Sequence, residues 1–318
     1  MFFGGLKTNL LSDQRNFKNS LMDSRTLGFI CVLITAVLFG SIYSLAKLPL
    51  SHIDPLLLSA IVYPIAFVTL IPVARGSFRL NCLDDFKYII IISVLGAIAA
   101  PLLLFFGLED VAASDGAILA NAQILFTILL SSVFFGERPK GLWGYSAIAI
   151  VIAGLFLAST ELKLSSSILE YEPGKMLILG AMLCWALDNN FSRRLIKKSN
   201  VEPSKIAMLK FLIGGIVLSV LLILSSPSVT ALTNALLSIE TSEWIVISIL
   251  AIFGFAGALL FLLEGLKRIG TIKTMIALSF TPIIGIIIAM ATRGESISPF
   301  EAVATAMIAI GIFIISRT

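Results

Sequence analysis

Charge is scarce in this chain. Asp, Glu, Lys and Arg supply only 13% of its 318 residues, about half the share of a soluble domain, which is about 25%. With 58% hydrophobic residues, there is too little polar surface to cover soluble domains of this size, so the composition requires a protein embedded in lipid. Histidine occurs once, at His52, which excludes a histidine-based metal cluster. The three cysteines (Cys31, Cys82, Cys184) have no CxxC spacing, so neither a zinc site nor a disulfide framework is implied. Cys31 and Cys184 stand in apolar runs and read as small core residues. There is no phosphate-binding loop, Gly-x-Ser-x-Gly elbow, HExxH or paired-carboxylate loop. The sequence therefore gives no catalytic residue, metal, cofactor or nucleic-acid partner, and the expectation is that the protein is not an enzyme. No ATP-binding domain is expected, so any energy is expected to come from a gradient or from the substrate's own. No ten-residue alternation is present, which argues against a membrane β-barrel.

What is present is a series of apolar runs. A membrane-spanning helix needs about 20 mostly apolar residues. Ten segments qualify: 27–46, 55–74, 86–108, 114–135, 141–159, 174–194, 204–225, 243–263, 271–292 and 299–316. Residues 1–26 are mixed and polar and read as a cytoplasmic tail. Lys and Arg collect in cytoplasmic loops. With the N-terminus inside, 18 of the 23 Lys and Arg fall on that side. Only Lys47, Lys163, Lys175 and Arg293 fall outside, and Lys210 lies within a segment. Both termini are therefore expected in the cytoplasm.

The chain also repeats itself. Shifting residues 96–154 by 158 positions places Gly96 on Gly254, Ala100 on Ala258, Gly107 on Gly265, Leu108 on Leu266 and Ile118 on Ile276. The same shift places Gly136-Glu137 on Gly294-Glu295. Earlier in each half, Asp54-Pro55 opens segment two and Glu202-Pro203 opens segment seven. Five segments per half is an odd number, so the second half enters the membrane from the opposite side. The expected fold is an all-α integral membrane protein with ten transmembrane helices in two inverted five-helix repeats. The boundaries are a tail at 1–26, a first repeat at 27–159, an external linker at 160–173 and a second repeat at 174–316. Inverted repeats of this kind build secondary transporters, whose sites lie between the halves near the midplane.

Several motifs point further. An aromatic-small pair closes segment one (Phe39-Gly40) and segment six (Trp185-Ala186). Gly-Glu closes segments four and nine, the first within Phe-Phe-Gly-Glu-Arg-Pro (134–139). With the ten segments, these features resemble the drug/metabolite transporter superfamily, EamA type, over residues 27–316. The resemblance implies that helices one, three, four, six, eight and nine surround a central cavity. It also implies export or exchange of small metabolites, often amino acids, across the plasma membrane. The second copy, Thr292-Arg293-Gly294-Glu295-Ser296, lacks the proline of the first.

Polar side chains within lipid-spanning segments are costly and are functional candidates by default. Asp188 in segment six and Lys210 in segment seven each sit about two turns from the same membrane face. They could pair, locking two helices, or serve coupling, with protons the candidate ion. Their counterparts in the first half are Ile42 and Val62, both apolar. On helices the resemblance places at the cavity, Tyr43, Asn121, Gln123, Asn189, Ser279 and Thr281 are candidate substrate contacts. Trp185 and Phe39 could wall the site. All of these could equally hold helices together. Gly96 and Gly254 allow close approach, and Pro101 and Pro282 interrupt the backbone ladder as candidate hinges. Glu264 reads as a helix-end partner of Lys267 or Arg268. The reading is a secondary transporter of small metabolites, amino acids first, working by alternating access between the repeats, as a monomer or weak homo-oligomer in the plasma membrane. The rival substrate is a phosphorylated metabolite or nucleotide sugar, which would require several deep cations. The rival of another class is a membrane-embedded enzyme or a non-transporting receptor.

Overall fold

The computed structural model describes residues 24–74, 83–135, 141–160, 173–294 and 297–317. Nearly all of the expected N-terminal tail, the linker at 161–172, the Gly136–Pro139 motif and Glu295 lie outside the described residues.

Every expected segment falls on helix. Segment one is α1 (Ser24–Leu50) and segment two is α2 (Pro55–Leu70). Segment three is α3 (Leu83–Ser93), a π-helical stretch at Val94–Ala99, and α4 (Ala100–Asp110). Segment four is α5 (Ala113–Leu119) and α6 (Asn121–Phe135), broken at Ala120. Segments five, six and seven are α7 (Gly141–Thr160), α8 (Pro173–Ser199) and α9 (Pro203–Ser225). A short amphipathic helix, α10 (Val229–Leu237), precedes segment eight. That segment comprises α11 (Thr241–Ile249), a second π-helical stretch at Leu250–Gly257, and the first part of α12 (Ala258–Leu278). Gly270, at φ 75°, kinks α12, and segment nine runs from there into α13 (Thr281–Arg293). Segment ten is α14 (Pro299–Arg317).

Five described stretches are long and apolar enough to cross a membrane: 24–50, 84–110, 113–134, 203–225 and 241–271. Four apolar helices are shorter. α8 has the length, at 27 residues, but its hydropathy is lowered by Asp188, Asn189, Asn190 and Ser192, all of which are buried. Apolar runs become helix because lipid offers no partner to backbone N–H and C=O groups. Their starts are set locally. Asp54 caps α2 by accepting from the N–H groups of Leu56 (2.8 Å) and Leu57 (3.2 Å), and Pro55 fills the first turn, where no N–H is needed.

The two halves are interlocked. Segment one packs on segments eight and nine, while segment six packs on three and four. Segment two packs on seven, and five on ten. Two of the glycines that stand out as landmarks in the sequence, Gly107 and Gly265, sit at these crossings. A Cβ on Gly107 would stand 2.7 Å from the Gly174 carbonyl oxygen, and one on Gly174 would stand 2.8 Å from that of Gly107. The repeat-related crossing brings Gly265 against Val32, with the Gly28 carbonyl beside it.

The structure corrects the expected segments at two points. Segment nine is not one continuous helix: it turns at Ser279-Phe280, just before Pro282, which occupies the second position of α13. The small-residue spacing at Gly96 and Gly254 does not bring two backbones together. Each glycine faces a side chain, Asp188 for Gly96 and Ile42 for Gly254.

The crossing at Gly107 can be tested by adding one methyl group. Alanine gains about 1 kcal/mol over glycine in a helix interior, whereas forcing backbones apart costs about 1–3 kcal/mol. The Ile178 side chain can turn aside, but the Gly174 carbonyl at 2.7 Å and the Ile178 amide at 3.2 Å are backbone and cannot, so the cost wins. Gly107→Ala is expected to lower the melting temperature of the purified protein by a few degrees. Gly180→Ala, whose Cβ meets nothing nearer than 3.5 Å, is expected to leave it unchanged or raised.

Candidate functional site

The site is built from the π-helical stretch of segment three. There the Ala100 N–H reaches back five residues to the Leu95 carbonyl. The next donor in that ladder would come from residue 101, but Pro101 has no N–H. The Gly96 carbonyl is therefore left without its main-chain donor, and the indole Nε1 of Trp185 donates to it at 3.0 Å. A proline in one half thus creates an acceptor that a tryptophan from the other half satisfies. The second π-helical stretch repeats the winding at the same register, with Gly254 in the place of Gly96. Leu259 stands there where Pro101 would be, and it keeps its N–H. Windings of this kind recur at functional positions in helices.

Gly96 also makes room for charge. A Cβ at this position would overlap the Asp188 carboxylate and lie 3.0 Å from Lys210 Nζ. Lys210 Nζ donates to Asp188 Oδ2, and Ser192 Oγ donates to Oδ1 at 3.1 Å. Asp188 is 1% exposed and Lys210 2%. The pairing of these two residues, open in the sequence, is made. Next to it, Gly214 on α9 lies so close to the π-helical stretch that a Cβ would meet the Ala97 carbonyl at 2.6 Å.

Two adjoining cavities open from this point, and they share a wall of Phe39, Gln123 and Trp185. One is lined further by Gly96, Asp188, Asn189 and Lys210, with Tyr63, Phe211 and Phe255 opposite. The other is lined by Ile42, Tyr43, Asn121, Thr281 and apolar residues of segments three, four and nine. Each leaves about 30 Å³ for water-sized guests, room for one or two waters. Three polar atoms on these linings have no hydrogen-bond partner among the described residues: Asn189 Nδ2, Asn121 Oδ1 and Thr281 Oγ1. Buried polar atoms are normally paired, so these three stand out on the linings.

Most of the residues proposed from sequence thus converge: Tyr43, Asn121, Gln123, Trp185, Asn189, Thr281, Asp188, Lys210 and Gly96. Ser279 does not; it is half-buried at the turn in segment nine and lines neither cavity. Gly254 and Pro101 shape the surrounding helices without lining them. Tyr63, Phe211 and Phe255 escape sequence reasoning. The Tyr63 ring lies 5.3 Å from Phe211 and 5.4 Å from Phe255, making an aromatic floor in the cavity that the ion pair lines. In a chain with 22 phenylalanines, nothing local separates these from lipid-facing ones. Ser192 is legible, because it follows Asp188 by one helical turn.

Polar and aromatic contacts join helices at both ends of the helical body. At one end Ser199 Oγ donates to Asp85 Oδ1, Tyr88 meets Phe191, and the Arg194 guanidinium lies 5.4 Å from the Tyr88 ring. At the other, Lys47 Nζ donates to the Glu109 carbonyl at 3.1 Å, and His52 Nδ1 lies 3.5 Å from Glu243. Glu264 pairs with Arg268 at 3.0 Å across one helical turn.

Known proteins share this plan. An uncharacterized transporter of Methanothermobacter thermautotrophicus is 27% identical over 63% of this chain and 62% of its own length. The uncharacterized transporter YyaM of Bacillus subtilis is 23% identical over 89% of this chain and 92% of its own. A probable amino-acid metabolite efflux pump of Salmonella typhimurium is 26% identical over 92% and 95%. A solved crystal structure aligns at a TM-score of 0.66 over 92% of this chain and 95% of its own, with 20% identity, which is a likeness of fold. Residues 26–160 and 172–317 each match the EamA-like transporter family. With two copies of the family unit over almost its whole length, and a helical body that closes over cavities lined by both halves, this chain belongs to the EamA-like transporter family.

Proposed function

We propose that the protein moves small polar or amphipathic metabolites, amino acids foremost, by exposing the paired cavities alternately to the two sides of the plasma membrane. The observation that carries this reading is the cavity pair between the halves, with orphaned amide and hydroxyl groups on its lining and a wall of Phe39 and Trp185. Both ends are tied by polar contacts that a rocking motion can make and break in turn. The efflux-pump name of the Salmonella relative supports amino-acid metabolites as the cargo and export as the direction. Pro101 and the turn before Pro282 are the proposed flexing points. The orientation places both termini in the cytoplasm, and the working unit is a monomer or weak homo-oligomer.

A phosphorylated cargo is disfavoured. Its phosphate would need several cations, and Lys210 is the one cation among the described linings, already paired with Asp188. An embedded enzyme or receptor is disfavoured by the cavity itself, which is lined from both repeats.

Two outcomes check the reading. Purified protein screened against amino acids and related metabolites is expected to melt at a higher temperature in the presence of its cargo, because binding to the folded state stabilises it by mass action. Gln123→Ala and Asn189→Ala are each expected to weaken that response and the matching vesicle counterflow about tenfold, the loss of roughly 1.4 kcal/mol of hydrogen bonding. Lys198→Ala, an exposed position, leaves both unchanged. A protein that binds and moves none of the panel overturns the proposal. For orientation, epitopes at the two termini of the protein in intact cells are expected to become accessible only after permeabilisation; labelling before it would reverse the assignment.

A further inference from the structure

The ion pair of Asp188 and Lys210 is not needed by the frame that holds it. Gly96 faces Asp188, whereas the repeat-related Gly254 faces Ile42, whose side chain lies 3.1 Å from where a Cβ on that glycine would stand. The same joint therefore closes in the other half with an apolar contact, and Lys210 has apolar Val62 as its mate. A buried pair of charges often stabilises a fold no better than well-packed apolar groups of similar volume. Both sides of the joint meet a cavity, Ile42 the one and Asp188 with Lys210 the other, and the costlier solution stands in only one of them.

From this placement we infer that Asp188 and Lys210 form a seat for zwitterions, selecting guests that carry an ammonium and a carboxylate a few ångströms apart. The inference rests on the transport reading above. A zwitterion that enters can repay both members of the pair at once. Its carboxylate takes Lys210 Nζ, with the orphaned Asn189 Nδ2 as a second donor. Its ammonium takes the Asp188 carboxylate beside the rings of Phe39, Trp185 and Tyr63, whose faces attract cations. A guest with one charge repays only one member and leaves the other buried without a partner, which is strongly unfavourable. An uncharged guest gives the pair no reason to open. The filter reads net charge and charge separation and leaves the side chain to the aromatic floor.

The test uses the whole protein in vesicles and three matched probes: phenylalanine, its amide (cation only) and 3-phenylpropanoate (anion only), with leucine, its amide and 4-methylpentanoate as a second set. Thermal shift and competition against amino-acid counterflow are expected to favour the zwitterion at least tenfold over both partners in at least one set. A double variant carrying the residues of the other half, Asp188→Ile with Lys210→Val, is expected to melt no lower than the parent and to lose the zwitterion response tenfold or more. Should that variant not fold, Asp188→Asn with Lys210→Met gives the same reading. An amide or a carboxylate that competes as well as its zwitterion overturns the inference, as does a folded double variant with an undiminished response. If the parent moves other solutes but no zwitterion, the seat is wrong and transport stands. If it moves no solute from a broad panel, the transport reading itself has failed.

Discussion

Backbone groups in an apolar surrounding must find partners within the protein, and this constraint organises the centre of the molecule. Segment three cannot satisfy itself, because Pro101 withholds a donor where the π-helical stretch asks for one. The missing bond is supplied from the other half, by Trp185 to the Gly96 carbonyl. One deficit therefore fixes the spacing of segments three and six, the rotation of Trp185 and the position of Gly96. Asp188, three residues beyond Trp185 on the same helix, is carried to the face of Gly96, where the absence of a side chain admits its carboxylate. The wall, the ion pair and the cavity next to them all descend from that arrangement.

How much of this is legible in the sequence depends on the kind of signal. Helix existence is legible because apolar runs in lipid have one solution, and inversion is legible because each half holds an odd number of segments. Asp188 and Lys210 can be matched by depth alone. The π-helical winding cannot be anticipated from VLGAIA or LAIFGFAG, since neither composition differs from ordinary helix; the second has no proline near it at all. Aromatic residues are the least legible. Tyr63 and Phe255 line a cavity, while Phe253, two residues from Phe255, is exposed. Only the rotation of the helix separates them, and rotation is settled by packing partners distant in the chain. Ser279 illustrates the converse: it stands in the turn between α12 and α13 and lines neither cavity, and the apolar run around it does not announce that turn.

The two halves share a frame and differ in what they put on it. Gly107 with Gly174, and Gly265 with Gly28, are the same crossing built twice. Both π-helical stretches lie at the same register. The charges, the proline at 101 and the indole at 185 have no second copy. Symmetry supplies the frame, and the buried ion pair stands where symmetry is broken, among segments three, six and seven.

The interlocking of the halves has a consequence for synthesis. Thr35 in the first helix donates to the Ala258 carbonyl 223 residues later, and most of the surface that buries α1 comes from segments eight and nine. At about 5–20 residues per second, the first helix waits roughly 10–45 s in the bilayer before its partners emerge from the ribosome. During that interval its buried glycines, alanines and Thr35 face lipid or whatever other helix is at hand. The early half must persist as loosely associated helices, and the native body closes only when the last third of the chain has been inserted.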